Sequence, residues 1–528
     1  MVTGVTRITR PQAWVLIVAF LGSLAVVPLV DLPGKVGGEL AAAGARLAES
    51  LRHEWESPGS MLEVNRVVER ELRSIESVVA DHSLLAKFGR PILLEWMLAV
   101  GAGNENAYPG REGWLFFRPD IDFLTARSFA KKPGRPENAI ASFAADLAGR
   151  GILLVLLPVP GKAAIHPEMF AAGLWETMPE SADAADFKKR LDAAVEKEFA
   201  RRGLKGPLPV LADPGDLLWQ KKKEGPQFLK TDTHWTPDAM ESVAAWVANQ
   251  LGHSGIAPSA PTDWVVSPET ISGRGDTASM LNLPSGSRWI TGQTVEVQRV
   301  HRSSGEPWST DASSPVLLLG DSFTNMYSQA ELGWGSGAGL AEHLSLGLGQ
   351  TIDRITRNDD GAWATREMLA SELRRDPRRL EGKKVVVWQF AMRELVSGDW
   401  KDIPLPGEEA HTAEAENFVV LKPGESRRFE GRILAMGALP VIGTTPDRDY
   451  LTAFHLQETG GGDQAVVYLQ TLKDNERTAA ARLAPGQTIS LNISSWMDAE
   501  ETFGSMNRGD LEDGSLLLQE PNFGILEP

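Results

Sequence analysis

Three short apolar runs, set among amphipathic helices, constrain the fold of this chain most strongly. They predict strands at residues 152–157, 316–319 and 384–390. A strand that is apolar along its whole length is buried on both faces, which is typical of parallel sheets whose connections are helices. The sequence therefore predicts an α/β fold, a doubly wound parallel sheet with helices on both faces.

The intervening segments carry helix signals. Residues 183–202 place Phe187, Leu191, Val195 and Phe199 at helical spacing and end at a glycine. Thr236-Pro237-Asp238 supplies a cap, a first-turn proline and a first-turn acid. We also predict helices at residues 136–151, from Thr236 to Gly252, and 364–374.

The chain has 528 residues, which is too long for one ordinary hydrophobic core. Beyond residue 402, short Val-, Ile-, Phe- and Tyr-containing runs alternate with glycine-rich turns, which predicts a β-sandwich. We predict four segments: a cytoplasmic stub with a transmembrane signal anchor (1–36), a helical spacer (37–104), the α/β domain (105–401) and the β-sandwich (402–528).

The N-terminal segment predicts export. Residues 13–30 carry no charged side chain, and Arg7 and Arg10 precede them. Eighteen apolar or small residues are long enough to span a bilayer, and the basic flank orients the remainder outwards. We expect a single-pass anchor in the bacterial inner membrane with the rest of the chain in the periplasm. A cleaved signal peptide is the alternative.

Composition excludes several functional classes. The net charge is −17, and no basic stripe with interleaved aromatic residues is present, so we expect no nucleic-acid partner. The absence of cysteine excludes disulfides, thiolate nucleophiles and cysteine metal sites. The glycine-dense segment 333–339 lacks the dinucleotide fingerprint, and we predict that it is a loop lining the active-site cleft. We therefore predict neither a metal nor a cofactor.

Two segments far apart in the sequence carry the chemistry. Gly320-Asp321-Ser322 closes an apolar strand, a place where a serine is presented at the rim of a sheet. In Thr231-Asp232-Thr233-His234-Trp235, the acid precedes the histidine by two positions, so in an extended stretch both side chains leave on the same face. Ser322 as nucleophile, His234 as base and Asp232 as orienting acid would suffice for acyl transfer through a serine ester.

Each segment also has a purely structural interpretation. A Gly-Asp-Ser turn can be an ordinary helix cap, and a lone histidine is more often a surface or core residue. The occurrence of both segments in one predicted α/β domain favours the catalytic interpretation over these alternatives.

With these motifs the chain resembles the alginate O-acetyltransferase family of the AlgX/AlgJ type, a branch of the SGNH hydrolase superfamily. The resemblance extends over residues 108–395. Besides the two motifs above, it rests on segments 110–116, 158–162 and 386–390. It implies an SGNH-like fold and the same roles for Ser322, His234 and Asp232.

The resemblance also implies partners. Family members act in the periplasm and transfer acetyl groups to hydroxyls of an exopolysaccharide, with a membrane-bound O-acyltransferase as the acetyl donor. Some carry a C-terminal β-sandwich that binds carbohydrate. Here carbohydrate binding and a structural cap are both open for residues 402–528.

Three further residues are candidates for the site. Asn325 is a candidate for the oxyanion site, with a helix-turn hydrogen bond as its alternative role. Arg274 and Arg393 are candidates for lining the cleft, with structural ion pairs as their alternative role.

Two other functions are alternatives to the acetyltransferase. One is a polysaccharide acetyl-esterase or deacetylase with the same triad, and the other is a non-catalytic polysaccharide-binding assembly protein.

Overall fold

The computed structural model describes most of the chain beyond residue 83. The described residues are 84–104, 106–125, 135–173, 175–181, 186–253, 263–281, 291–407, 417–440, 449–474, 476–511 and 519–527, with a few isolated positions between them.

The helices and strands up to residue 253 precede the hairpin described below. They are α1 (Leu84–Ala99), β1 (Ala107–Pro109), β2 (Leu115–Phe117), α2 (Arg118–Thr125), α3 (Pro136–Ala148), β3 (Leu153–Val159), α4 (Lys162–Ile165), α5 (Pro167–Phe170), α6 (Phe187–Arg202), β4 (Val210–Leu211), α7 (Gly215–Lys221) and α8 (Pro237–His253).

The remaining elements begin with this hairpin and end with an antiparallel sheet. As far as residue 397 they are β5 (Trp264–Gly273), α9 (Asp276–Met280), β6 (Gln293–Arg302), β7 (Val316–Gly320), α10 (Ser322–Asn325), α11 (Leu340–Leu348), β8 (Asp353–Thr356), α12 (Ala364–Arg375), β9 (Val385–Ala391) and α13 (Glu394–Ser397). Beyond it they are β10 (Ser426–Met436), β11 (Tyr450–Glu458), β12 (Gln464–Lys473), β13 (Glu476–Arg477), β14 (Thr488–Ser495), α14 (Trp496–Phe503), β15 (Arg508–Gly509) and β16 (Pro521–Leu526).

The chain divides into two compact units. Residues 1–102 and 282–287 form the first, and α1 is its described helix. Residues 103–281 and 288–528 form the second, which contains every other helix and strand named above. The predicted anchor at residues 13–30 and the spacer up to residue 83 lie outside the described residues, apart from two isolated helical positions in the spacer. Among the described helices, none has both the length and the apolar character needed to span a membrane.

The second unit contains the predicted parallel sheet. Its strand order is β4-β3-β9-β7-β8, and every neighbouring pair is parallel. Alternate residues of each central strand point to opposite faces: in β7, Leu318 packs into a core with α8 and α11, whereas Leu317 and Leu319 pack into a core with α3, α6 and α12. Helices therefore cover both faces, and the doubly wound α/β prediction is confirmed.

A long hairpin between α8 and β7 did not follow from the sequence patterns. Strands β5 and β6 pair antiparallel over ten positions each, from Trp264 opposite Arg302 to Gly273 opposite Gln293. Most side chains of β5 are exposed, so the strand has no apolar alternation, and Pro268 within it counts against a strand. Strand β5 leads directly into the turn that carries α9, which lies between the two strands.

The β-sandwich predicted for residues 402–528 is wrong in its architecture. The C-terminal strands form one sheet in the order β13-β12-β16-β14-β10-β11-β15, and an additional pairing of β12 with β11 closes it into a barrel. Within this closed ring, β16 lies between β12, with which it pairs parallel, and β14, with which it pairs antiparallel. Its sequence contains a proline and a glycine, two residues that strand patterns count against, and it had not been predicted.

A buried arginine joins the α/β sheet to the barrel. Arg357 follows β8 directly, and its side chain is only 1% exposed. Its guanidinium donates to Asp359 at 2.6 Å, to Asp510 of the barrel at 2.7 Å and to the carbonyl of Arg508 at 2.9 Å. Because a buried guanidinium is costly without such partners, this cluster fixes the barrel to the carboxyl end of β8.

We expect Asp510→Ala to lower the free energy of unfolding by about 3 kcal/mol, since it leaves the buried guanidinium of Arg357 without one of its carboxylates. Urea denaturation followed by tryptophan fluorescence measures this change. Arg378→Ala is the control, because it removes an exposed ion pair with Asp376 at 3.5 Å and should cost less than about 1 kcal/mol. Equal losses in the two variants would contradict the role given to Arg357.

Candidate active site

The turn after β7 presents Ser322. Asp321 caps the short helix α10, and its Oδ1 accepts a hydrogen bond from the Phe323 N–H at 2.8 Å. Gly320 is required at the end of β7, because a Cβ there would lie 2.1 Å from Thr324 Oγ1. Ser322 is half-buried at this rim, so its hydroxyl is held by the fold and still partly exposed to solvent.

The carboxylate of Asp321 braces the ends of two parallel strands. Its Oδ1 accepts from Gln389 Nε2 at 2.8 Å and its Oδ2 accepts from the Ala391 N–H at 2.9 Å, both in β9. Gln389 Oε1 in turn accepts from the Asp321 N–H at 3.0 Å and from the Thr324 hydroxyl at 2.7 Å. Asp321 is therefore a helix cap, as the structural interpretation of this turn predicts, and it also links β7 to β9 through contacts that were not predicted.

The structure brings the three predicted triad residues together. His234 Nε2 lies 2.8 Å from Ser322 Oγ, across 88 positions of sequence, and His234 Nδ1 lies 2.6 Å from Asp232 Oδ1. The imidazole is thus hydrogen-bonded to a hydroxyl on one side and a carboxylate on the other. A Nδ1–H that donates to Asp232 leaves the lone pair of Nε2 directed at Ser322.

Asp232 receives donors from three segments of the chain. Its Oδ1 also accepts from the His234 N–H at 3.0 Å. Its Oδ2 accepts from the Asp276 N–H and from Trp334 Nε1, both at 2.9 Å. The side chain is buried, and these hydrogen bonds replace the water that the carboxylate has lost.

The charges of the site are set by burial and by pairing. Burial alone would raise the pKa of Asp232, but the charge and hydrogen bond of His234 outweigh it and lower that pKa to about 2. Burial alone would lower the pKa of His234, but the charge and hydrogen bond of Asp232, with the charges of Asp276 and Asp321, outweigh it and raise the pKa above its ordinary 6.5. The pair therefore favours an imidazolium beside a carboxylate, the state that forms when His234 takes a proton.

Aromatic packing fixes the plane of the imidazole. The ring of His234 lies 4.6 Å from that of Phe323 in a tilted contact, and Trp235 meets Phe323 edge-on at 5.3 Å. The Tyr327 hydroxyl donates to the Trp235 carbonyl at 2.7 Å. The segment bearing His234 is thereby packed on the residue that follows Ser322.

An amide relay of four residues runs from α10 to the barrel. Asn325 Nδ2 donates to Asn358 Oδ1 at 2.8 Å, and Asn358 Nδ2 donates to Gln329 Oε1 at 3.2 Å. Gln329 Nε2 then donates to the Ser505 hydroxyl at 2.6 Å. One N–H of the Asn325 amide is therefore used in a contact with a residue 33 positions away, which is not the helix-turn hydrogen bond that was its alternative role.

The two arginine candidates differ in their surroundings. Arg393 Nη1 lies 3.2 Å from Asp120 Oδ1, and its guanidinium lies over the rings of Phe117 and Phe323 at 5.1 and 5.9 Å. It is thus an ion-paired residue next to the nucleophile turn. Arg274 has an exposed side chain, and its carbonyl accepts from the Thr231 hydroxyl at 2.7 Å. Its backbone therefore contacts residues 231–235, which we call the histidine segment.

Several side chains of the site had not been identified from the sequence. Trp334 lies in the glycine-dense segment that we predicted would line the cleft, but no local pattern singled out its indole. Asp276 follows Arg274 in the same short turn, and Gln389 lies inside an apolar strand. Lys162 is buried below the site and donates to the carbonyls of Leu115 at 2.7 Å and Lys230 at 3.2 Å.

Burial lowers the pKa of Lys162 to about 8, although the nearby carboxylates of Asp232, Asp276 and Asp120 act in the opposite direction. The ammonium is held between carbonyl groups of two segments that flank the site. Lys162 therefore links these two segments through hydrogen bonds beneath the histidine segment.

One cluster of the described residues has the composition of a metal site. Asp232, His234 and Asp276 each offer a ligand atom, all within 4.8 Å of one another. Both ring nitrogens of His234 and both oxygens of Asp232 already have hydrogen-bond partners in the protein. A metal here would have to replace those partners, so the donor set suits a hydrogen-bonded triad better than a metal site.

Comparison with protein families places this site in a known group. A family model described as an SGNH hydrolase-like domain, acetyltransferase AlgX, matches residues 107–392. This is more than half of the chain, and it includes the sheet, the Ser322 turn and the histidine segment.

The sequence identity between this chain and individual relatives is low. The chain is 26% identical over 310 residues to the probable alginate O-acetylase AlgJ of Azotobacter vinelandii, covering 56% of this chain and 71% of that protein. It is 28% identical over 303 residues to the protein of the same name from Pseudomonas fluorescens, covering 56% and 69%. Among solved structures, the O-acetyltransferase domain of Pseudomonas putida AlgJ is 19% identical with a TM-score of 0.41, covering 59% of this chain and 96% of that one.

We expect Trp334→Phe to slow the reaction of Ser322 with a fluorophosphonate by roughly ten- to a hundredfold, because a hydrogen bond to a charged group contributes about 1.5–3 kcal/mol. The rate of adduct formation, followed by intact mass, measures this effect. Trp308→Phe is the matched control, since Trp308 Nε1 donates to the Ser345 hydroxyl at a similar 2.9 Å. If both variants react at the wild-type rate, the indole does not support Asp232.

Proposed function

Since the chain belongs to the SGNH hydrolase-like acetyltransferase family of AlgX and is an O-acetyltransferase, we propose that it transfers acetyl groups to exopolysaccharide hydroxyls through an acetyl-serine on Ser322. The observation that carries this proposal is the pair of hydrogen bonds of His234, 2.8 Å to the Ser322 hydroxyl and 2.6 Å to Asp232. A non-catalytic assembly protein has no need of this arrangement.

In the first step His234 Nε2 takes the proton of the Ser322 hydroxyl while Oγ attacks the carbonyl carbon of a donor acetyl ester. The new C–O bond gives a tetrahedral oxyanion. When the oxyanion collapses, the bond to the donor alcohol breaks and the imidazolium returns its proton to that alcohol. Asp232 holds the imidazolium through Nδ1–H, and the acetyl group remains on Ser322.

In the second step a sugar hydroxyl replaces the donor alcohol. His234 Nε2 takes its proton as its oxygen attacks the acetyl-serine, and a second tetrahedral oxyanion forms. Collapse breaks the bond to Oγ, and the proton on His234 passes to Ser322. The products are an acetylated sugar and the free enzyme.

The backbone N–H of Ser322 is the proposed donor to the oxyanion. The other N–H groups of this turn already have partners: that of Phe323 donates to Asp321 Oδ1 at 2.8 Å, and that of Thr324 donates to the Asp321 carbonyl at 3.0 Å. The Ser322 N–H lies on the same residue as the attacking oxygen, which is where a tetrahedral intermediate needs a donor. Asn325 is given no such role here, because one N–H of its amide is directed at Asn358 and no contact links its side chain to Ser322 among the described residues.

The acceptor, the donor and the location belong to the proposal as well. Relatives named alginate O-acetylases support a polysaccharide acceptor. We propose a membrane-bound O-acyltransferase as the acetyl donor and a periplasmic location, for which the support is the apolar segment at residues 13–30. For the barrel, the contacts of Arg357 and of the amide relay support a structural role, and carbohydrate binding remains a prediction.

We expect Ser322→Ala to abolish acetyl transfer, because it removes the oxygen that attacks the donor ester and carries the acetyl group between the two steps. The assay incubates the full chain with a chromogenic acetyl ester, with and without oligosaccharide acceptors, and follows released alcohol, intact mass and acetylated products. Wild-type protein should gain one acetyl group on Ser322. Ser328→Ala is the matched control, since its hydroxyl donates to Glu342 at 2.7 Å and has no place in the mechanism.

The same assay separates the transferase from the hydrolase. Acetylated oligosaccharide supports the proposal, whereas release of free acetate alone with every acceptor offered would favour an acetyl-esterase. Wild-type turnover by Ser322→Ala would mean that another nucleophile carries the reaction.

We expect kcat/KM to fall as the pH decreases, with a midpoint above pH 6.5, because His234 accepts a proton only when it is neutral and the charge of Asp232 raises its pKa above that value. The base form predominates above the pKa, so activity is retained on the alkaline side and lost on the acidic side. A pH profile with the chromogenic ester measures the midpoint. An acidic midpoint below 6.5 would contradict this assignment of the base.

A further inference from the structure

A second carboxylate lies beside the triad. Asp276 is the first residue of α9, and its Oδ2 lies 3.8 Å from His234 Nδ1, on the same side of the ring as Asp232. We propose that Asp276 is a positioning residue of this active site: it holds the Asp232–His234 segment in place and adds a negative charge that stabilises the imidazolium. This inference rests on the proposed role of His234 as the base.

The contacts of Asp276 with the histidine segment are reciprocal. Its N–H donates to Asp232 Oδ2 at 2.9 Å, and its Oδ1 accepts from the Thr233 N–H at 2.7 Å. Its Oδ2 accepts from the Thr233 hydroxyl. Asp276 therefore binds both the acid of the triad and the residue between that acid and the histidine.

Neighbouring backbone contacts extend this docking. The Ala278 N–H donates to the Thr231 carbonyl at 3.0 Å, and the Thr231 hydroxyl donates to the Arg274 carbonyl at 2.7 Å. The turn at residues 274–278 thus lies along residues 231–233. A segment held at this many points has little freedom to rotate the imidazole away from Ser322.

Gly275 makes this close approach possible. Its φ is +86°, and a Cβ at this position would lie 2.2 Å from the Thr231 carbonyl oxygen. Only glycine meets both conditions without strain. The turn is therefore shaped to bring the backbone of Asp276 against Asp232, although the residue predicted for the site from this turn was Arg274.

The charges around the imidazole are few and mostly negative. The groups that face His234 and Asp276 are Asp232, Asp321 at the nucleophile turn and Lys162 on α4, with Arg393 and Glu394 beside Asp321. Burial alone would lower the pKa of His234, and the carboxylates of Asp232, Asp276 and Asp321 together raise it. Burial and the charge of Asp232 raise the pKa of Asp276.

Asp276→Asn separates charge from shape. The asparagine Oδ1 can still accept from the Thr233 N–H, and the backbone N–H that binds Asp232 is unchanged, whereas the negative charge is gone. We expect the acidic limb of the kcat/KM profile to move to lower pH by about one unit, because a nearby carboxylate raises the pKa of an imidazole by this order. Asp276→Ala should also lower kcat at the pH optimum, by about a hundredfold, since the segment loses its anchor.

Two further variants complete the test. Asp276→Glu keeps the charge, so its acidic limb should stay at the wild-type pH even if kcat falls. Asp213→Asn is the control: the carboxylate of Asp213 also accepts a backbone N–H, from Gly215 at 2.8 Å, but it lies in another turn of the chain, and loss of its charge should leave the limb unmoved. Circular dichroism and thermal unfolding establish that each variant is folded.

The outcomes distinguish this inference from the proposed function. An unmoved acidic limb in Asp276→Asn, with Ser322→Ala inactive, would overturn the role of Asp276 and leave the triad intact. Equal shifts in the Asn and Glu variants would show that shape rather than charge is responsible, which also overturns it. Acetyl transfer by Ser322→Ala would overturn the proposed function itself, whatever the Asp276 variants do.

Discussion

The buried carboxylate of Asp232 organises the site around it. An ionised group removed from water is costly unless donors replace the lost solvent. Here the donors come from its own loop through His234, from the turn through the Asp276 N–H and from the glycine-dense loop through Trp334. Satisfying one carboxylate thus requires three separate segments to converge, and the imidazole reaches Ser322 as part of that arrangement.

The α/β core could be predicted because its signals are local. Phe187, Leu191, Val195 and Phe199 recur at helical spacing, and all four are buried on one face of α6. The residues of β7 are apolar throughout because the strand is covered on both sides. The Asp-x-His segment and the Gly-Asp-Ser turn could also be recognised in the sequence, since each residue type has a distinct chemical role in acyl transfer.

What the patterns missed depends on partners far away in the chain. Trp334 is 102 positions from the carboxylate that it serves, and Gln389 is 68 positions from Asp321. An indole in a glycine-rich loop and an amide in an apolar strand have no local feature that names such a partner. The barrel was missed for the same reason, because whether a sheet closes depends on the pairing of β16 with β12 and β14, which local alternation does not encode.

The α/β sheet and the barrel share polar contacts that each would lack alone. Arg357 Nη1 donates a hydrogen bond to the carboxylate of Asp510, and Arg357 Nη2 donates one to the carbonyl of Arg508. Tyr468 of β12 donates to the same aspartate. A charged cluster of this kind orients two modules more strictly than apolar contact does, because each hydrogen bond has a preferred direction.

The amide relay has a consequence for the modularity of this chain. Since Ser505 is the last acceptor in a series that begins at Asn325, three residues after the nucleophile, the barrel contributes to the scaffold that holds the reactive serine. A chimera that exchanged this barrel for one from another protein would have to carry over the hydroxyl of Ser505 and the carboxylate of Asp510 together. Swapping by sequence boundary alone would leave an amide and a guanidinium facing a mismatched surface, so the two modules have to be inherited as a matched pair.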